Sequence, residues 1–207
     1  MEIIPSINEE IFEEISRKIR LVEPYVKWAH IDVSDGTFTG HSSWHNPEAL
    51  LAFETKLNLE IHLMIADMDT RYGDWILPNV SRVIFHIEAV RDPELVIEKI
   101  HGAGKEAGAA IRPETAWQKL EPFCAAADMV QLLAVPPGRA GQEFCHEIVE
   151  KVANIRRLHP GCIIEVDGGI NPDTGRRCVA AGANILVSAN YVFNSPDIGG
   201  AIQELGN

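Results

Sequence analysis

A chain of 207 residues, 46% hydrophobic and 23% charged, is long enough for one well-buried core and short for two, and its composition excludes a fibrous or disordered protein. The formal net charge of −12 argues against a nucleic-acid partner, which needs clustered lysine and arginine, although a few cations can still converge on a small phosphorylated ligand. No apolar run reaches the ~18 to 20 residues that span a bilayer, and MEIIPSINEE lacks the basic start and apolar stretch of a secretory signal. A cytoplasmic protein with no membrane partner is expected.

Short apolar runs alternate with longer amphipathic stretches. Strands are predicted near residues 3–7, 28–33, 59–65, 82–88, 107–112, 129–135, 162–167 and 184–190. Between them, Ile11, Ile15, Ile19 and Val22 recur at helical spacing. Leu95, Ile100 and Ala103 do so less perfectly, and Ile148, Val152 and Ile155 again fit. Helix starts are predicted at Asn8, with Ile11 following, and at Asn46-Pro47, Asp92-Pro93 and Asn171-Pro172, where a capping side chain precedes an early proline.

Strands that alternate with helices imply parallel pairing through right-handed crossovers. An open doubly wound sheet and a closed barrel both satisfy that pattern. The count of eight favours a single (β/α)8 TIM barrel, as does the recurrence of His, Asp and Glu at strand ends, just before Gly- or Pro-rich turns. Barrel active sites assemble at that C-terminal rim. No linker or low-complexity tract interrupts the chain, so one domain over residues 1–207 is expected. Cys124, Cys145, Cys162 and Cys178 form no CxxC pair, which points to reduced thiols rather than a zinc knuckle or redox motif.

The chemistry concentrates on a few strands. In WAHIDVSDG, His30 and Asp32 are two apart and share one face of a strand. His62 lies near the end of EIHLM, and Asp167 directly precedes two glycines in IIEVDGGI. His86 and Glu88 in FHIEA repeat the two-residue spacing. A lone strand histidine is commonly a hydrogen-bonded core residue, and Asp before Gly-Gly is commonly a turn. Two imidazoles and two carboxylates from three strands, all at one rim, instead describe a divalent-metal site.

PSI (5–7), HIDVSDG (30–36), HLM (62–64), HIEA (86–89), PGRAGQ (137–142) and VDGGI (166–170) occur in an order and spacing that resemble the ribulose-phosphate 3-epimerase family. The likeness runs from IIPSI to VSANYVF. It implies an isomerase of carbohydrate metabolism, a pentose-phosphate epimerase with a small-molecule sugar phosphate as ligand. His30, Asp32, His62 and Asp167 are implied ligands of one divalent ion, commonly Zn2+, with Fe2+, Mn2+ or Co2+ as alternatives. Asp32 and Asp167 are the implied acid/base pair, Ser6 a substrate contact and Met64 an apolar wall. His86 and Glu88 are read as pocket residues or outer partners, because a metal-bound imidazole commonly needs an outer carboxylate. A homo-oligomer, dimer or hexamer, is also implied.

The gripping loops depart from the family pattern. Ser34 stands where the family has methionine, and Phe38, Thr39, Gly40 and His41 replace Phe-Val-Pro-Asn. The strand-six segment, Leu133 to Gln142, reads LAVPPGRAGQ, with Pro136 and Arg139 among its departures, and the strand-eight Gly-Ser pair becomes Ala189-Asn190. In the family, loop amides hold the phosphate where glycines permit close approach. Gly138, Gly141, Gln142, Gly168, Gly169, Ala189 and Asn190 are therefore the implied substrate-binding set. Arg139 is either a compensating phosphate contact, a sign of a changed substrate, or a solvated loop charge. His41, Trp44 and His45 read as a surface loop, with a lid edge as the alternative.

Two other readings compete. A decarboxylase of the related phosphate-binding barrels needs a catalytic lysine, and no predicted strand contains one; Lys27 precedes strand two. A non-catalytic sugar-phosphate-binding barrel fits the altered loops but not the complete ligand set.

Overall fold

The computed structural model describes residues 1–207. Eight parallel strands close into a barrel in sequential order, β1 to β8. They are β1 (Glu2–Ile7), β2 (Trp28–Ser34), β3 (Asn58–Met64), β4 (Val80–His86), β5 (Glu106–Ile111), β6 (Met129–Leu133), β7 (Ile164–Asp167) and β8 (Ile185–Ser188). Helices α1 (Phe12–Val22), α2 (Glu48–Leu51), α3 (Met68–Arg71), α4 (Pro93–Gly102), α5 (Phe123–Ala126), α6 (Glu147–Leu158), α7 (Pro172–Ala181), α8 (Asn190–Phe193) and α9 (Ile198–Leu205) fill the connections. The expected (β/α)8 TIM barrel is the fold.

Alternation along the strands separates two environments. Ala29, Ile31 and Val33 of β2, Leu59, Ile61 and Leu63 of β3, and Val83 and Phe85 of β4 join the large apolar cluster between barrel and helices. Residues of the opposite parity fill the lumen, where Ile4, Ile84, Ala110, Met129, Ile185 and Val187 form a smaller apolar cluster. His30, Asp32, Glu60 and His62 share that inward parity and are buried. Gly108 also faces in: a Cβ there would lie 2.9 Å from Ile84 Cγ1.

Several local expectations change. β4 ends at His86, and Ile87–Ala89 form a tight helical turn, so Glu88 leaves the strand but keeps its carboxylate beside the His86 ring. β6 and β8 stop short of the predicted ends at residues 135 and 190, before Pro136 and before Asn190 opens α8. Asn8 caps nothing: α1 begins at Phe12 with no side-chain cap, and Asn8 turns to the barrel mouth. Ile11 and Leu95 are exposed, leaving Ile15, Ile19 and Val22 as the buried face of α1 and Val96, Ile97 and Ile100 as that of α4. Trp44 is not a surface residue but packs against Phe12 and Trp75. The other helix starts follow the sequence. The Asp92 side chain accepts from Leu95 N, Asn171 forms a capping box with Thr174, and Asn46 Oδ1 accepts from Glu48 N at the short α2.

Candidate active site and metal centre

The ligand atoms of His30, Asp32, His62 and Asp167 all lie within 4.8 Å of one another at the C-terminal ends of β2, β3 and β7. Asp32 Oδ1 is 3.0 Å from His62 Nδ1 and 3.3 Å from His30 Nε2, while Asp167 Oδ2 is 3.4 Å and 3.8 Å from the same nitrogens. Four bonds of about 2.0–2.1 Å at tetrahedral angles separate ligand atoms by about 3.3 Å. Donor spacing and donor type therefore both suit one divalent ion. Both imidazoles are fully buried, whereas both carboxylates line a cavity of about 380 Å³.

The electrostatics favour a cation. Burial opposes the charge on Asp32, yet its contacts with His30 and His62 outweigh that and hold the carboxyl far below the usual range. Burial likewise opposes protonation of the two histidines. For His30, Asp32 and Glu60 overcome it, and for His62, Asp167 and Asp32 do, so both lie above the ordinary imidazole value.

A second tier of residues holds these groups. Ser6 Oγ donates to Asp32 Oδ2 at 2.9 Å, and Asn8 Nδ2 donates to the same oxygen at 3.3 Å. His30 Nδ1 meets Glu60 Oε1 at 2.7 Å, and Glu60 Oε2 accepts from Arg82 Nη1 at 2.6 Å. Glu165, fully buried below Asp167, accepts from Gln131 Nε2 at 3.0 Å; burial and then the neighbouring Glu60 charge push its carboxyl well above the usual range. Asn8 reads in the sequence as a helix start rather than a site residue, and Glu60, Arg82 and Glu165 belong to none of the family motifs that mark the site. Parity was the available signal: Glu60 is two residues before His62, and Glu165 two before Asp167.

His86, expected at the substrate, is fully buried behind His62 and does not line the cavity. Its Nε2 lies 2.9 Å from His62 Nε2, and the rings stack at 5.0 Å. The Phe38 ring lies 5.1 Å from it, with the Arg112 guanidinium 3.8 Å above Phe38. Burial lowers the His86 pKa to about 4, so the ring is neutral and its Nε2 can accept a hydrogen bond from His62 Nε2–H. Glu88 Oε2 is 3.3 Å from His86 Nδ1.

The other expected substrate contacts reach the cavity. Ser6, Met64, Gly138, Gly141, Gln142, Gly168, Gly169, Ala189 and Asn190 line it with Arg139, the one cation among its walls. Some are already engaged: Gln142 Nε2 braces its own loop by donating to the Pro136 and Arg139 carbonyls. Gly168 and Gly169 both have positive φ, and a Cβ on Gly169 would lie 2.9 Å from Phe144 Cα. At Gly141 a Cβ would lie 2.5 Å from Asn190 Nδ2, so the Asn190 amide occupies the space beside that glycine. His41 is half-buried and His45 exposed, and neither belongs to the four-residue ligand cluster.

Comparison with known proteins adds an independent finding. Residues 2–193 match the model of the "Ribulose-phosphate 3 epimerase family". The ribulose-phosphate 3-epimerase of Chlamydia trachomatis serovar D is 33% identical over 205 residues, covering 95% of this chain and 88% of that protein. The "cytoplasmic isoform" of Oryza sativa subsp. japonica is 33% identical over 214 residues, covering 99% of this chain and 92% of its own. Among solved structures, phosphoribosyl anthranilate isomerase from Thermococcus kodakaraensis superposes with a TM-score of 0.67 at 14% identity, covering 100% of this chain and 97% of that one, a likeness of fold alone.

Proposed function

The chain belongs to the ribulose-phosphate 3-epimerase family of isomerases, and from that premise we propose that it inverts the carbon beside the carbonyl of a ketose phosphate, of the D-ribulose 5-phosphate/D-xylulose 5-phosphate type. The observation that carries this reading is the pair of carboxylates, Asp32 and Asp167, open to one cavity above two buried imidazoles.

His30, Asp32, His62 and Asp167 would hold one divalent ion, with zinc the best match to two nitrogen and two oxygen donors at this spacing. When bound, the ion supplies positive charge against the negative charge that develops on the substrate oxygens. The chain's own groups move the protons. One aspartate begins ionised and takes the proton from the carbon, whose bonding pair shifts toward the carbonyl oxygen to give a planar enediolate. The other begins protonated and returns a proton to the opposite face. Ser6 and Asn8 fix Asp32 Oδ2, which limits the directions in which that carboxylate can swing. Met64 and Leu133 supply apolar wall around the reacting carbon.

The loops after β6, β7 and β8 would take the phosphate, with Arg139 adding a charge-assisted contact. The Asn190 amide beside Gly141 favours a second reading, a different sugar or acid group at that end of the cavity. The cytoplasm is the proposed compartment, in keeping with the name of the rice relative, and a homo-oligomer is the proposed assembly.

A panel of ketose phosphates in deuterated water tests this. The wild type should place deuterium on the carbon beside the carbonyl of a pentulose phosphate. Asp32→Asn and Asp167→Asn should each slow that exchange by roughly 10²–10⁴-fold. Label on no member of the panel would overturn the function, and wild-type exchange in either variant would overturn that residue's role.

A further inference from the structure

We propose that Glu60, clamped by Arg82, is a positioning residue that aims His30 at the metal site; the proposal rests on the metal reading given above. His30 of β2, Glu60 of β3, Arg82 of β4 and Glu106 of β5 are direct register partners across three successive strand pairs. Strand tilt carries such a row obliquely along the barrel wall. It starts under the metal centre and ends at Glu106, whose side chain is 45% exposed.

Each link in the row is short and specific. Glu60 Oε1 lies 2.7 Å from His30 Nδ1, and Glu60 Oε2 accepts from Arg82 Nη1 at 2.6 Å. Arg82 Nε and Nη2 both donate to Glu106 Oε2, at 2.9 and 2.7 Å, and the guanidinium stacks 4.3 Å over the Trp28 ring. His30 and Glu60 are fully buried and Arg82 is 8% exposed. An ionised carboxylate can only accept, so Glu60 requires a proton on His30 Nδ1. In the neutral imidazole the lone pair then sits on Nε2, which faces Asp32 Oδ1 and Asp167 Oδ2. Glu60 thereby sets both the tautomer and the ring orientation.

Arg82 is needed for that role. A buried carboxylate without a partner is strongly unfavourable, and Arg82 keeps Glu60 paired. Arg82 also settles a competing use of the same residues. His30, Glu60 and Glu165 together offer three donors to a second ion. The guanidinium, 2.6 Å from Glu60 and 3.9 Å from Glu165, already supplies the cation between them.

The test is zinc affinity, measured by chelator competition on the full chain without substrate. Glu60→Gln should raise the zinc dissociation constant roughly 10–100-fold. Glu60→Asp, which keeps the charge at shorter reach, should recover part of that loss. If Glu60→Gln fails to fold because Arg82 is left unpaired, the double variant Glu60→Gln with Arg82→Met removes both charges and carries the same expectation. A merely structural role would lower the thermal midpoint of metal-free and zinc-loaded protein equally. The positioning role predicts that the gap between those midpoints shrinks. Wild-type zinc affinity in the folded variants would overturn the role of Glu60 and leave the metal site standing. Wild-type protein that takes up no zinc would overturn both.

Discussion

Asn8 and Gly138, 130 residues apart, are joined by a 3.2 Å hydrogen bond from the Asn8 amide to the Gly138 carbonyl. The same nitrogen lies 3.3 Å from Asp32 Oδ2. One side chain after β1 thus links the mouth loop of β6 to a candidate proton carrier on β2. The loop reaches a second neighbour as well, since a Cβ on Gly138 would lie 2.9 Å from Thr39 Cβ.

Asn8→Ala should therefore loosen the mouth. Losing about 0.5–1.5 kcal/mol of hydrogen bonding implies a rise in KM of about two- to tenfold. Amide exchange at residues 138–142 should quicken while the barrel strands stay protected. Unchanged exchange in that loop would assign its order to the Thr39 side.

Purified protein should carry close to one divalent ion per chain, held by His30, Asp32, His62 and Asp167. Chelation should lower the thermal midpoint and added zinc should restore it. Saturation at a hundred times the dissociation constant is worth about 2.7 kcal/mol. Elemental analysis showing no ion, together with no midpoint shift on adding zinc, manganese or iron, would remove the centre.

Arg139→Ala should separate the ends of the cavity. Arg139 is the one cation on its walls and belongs to the loop after β6, whereas the four ligands come from β2, β3 and β7. A phosphorylated ketose should lose much more affinity than the same sugar without phosphate. Equal losses on both would place Arg139 outside the phosphate contact.

Gly169→Ala should damage both stability and binding. Gly169 has φ +65°, and its added Cβ would meet the Phe144 backbone at 2.9 Å. Strain of about 1–3 kcal/mol lowers the midpoint of a chain this size by roughly 2–12 °C. Gly161→Ala is the matched control, with nothing within 4 Å of the added carbon. It should stay within about 0.5 kcal/mol of wild type.

How far the sequence carried the description depended on the range of the interaction involved. Local rules held where neighbours in the chain decide the outcome. Asn171-Pro172 and Asp92-Pro93 open α7 and α4 because a side-chain oxygen beside an early proline meets free amides wherever the helix sits. Local rules failed where a distant group competed. Asn8 has a capping oxygen, but its amide nitrogen donates to Asp32 and Gly138 and holds the side chain at the barrel mouth, and Trp44 lies in a polar loop yet packs between Phe12 and Trp75.

The candidate site divides in the same way. By itself the sequence determined that His30 with Asp32, His62 and Asp167 sit near strand ends on a common parity, because side chains alternate along any strand. Only the closed barrel decided that His86 retreats behind His62, that Asn190 stands beside Gly141, and that Glu60 and Arg82 line up under His30. Those relations depend on strand register and tilt around the whole ring, which no single segment of chain contains.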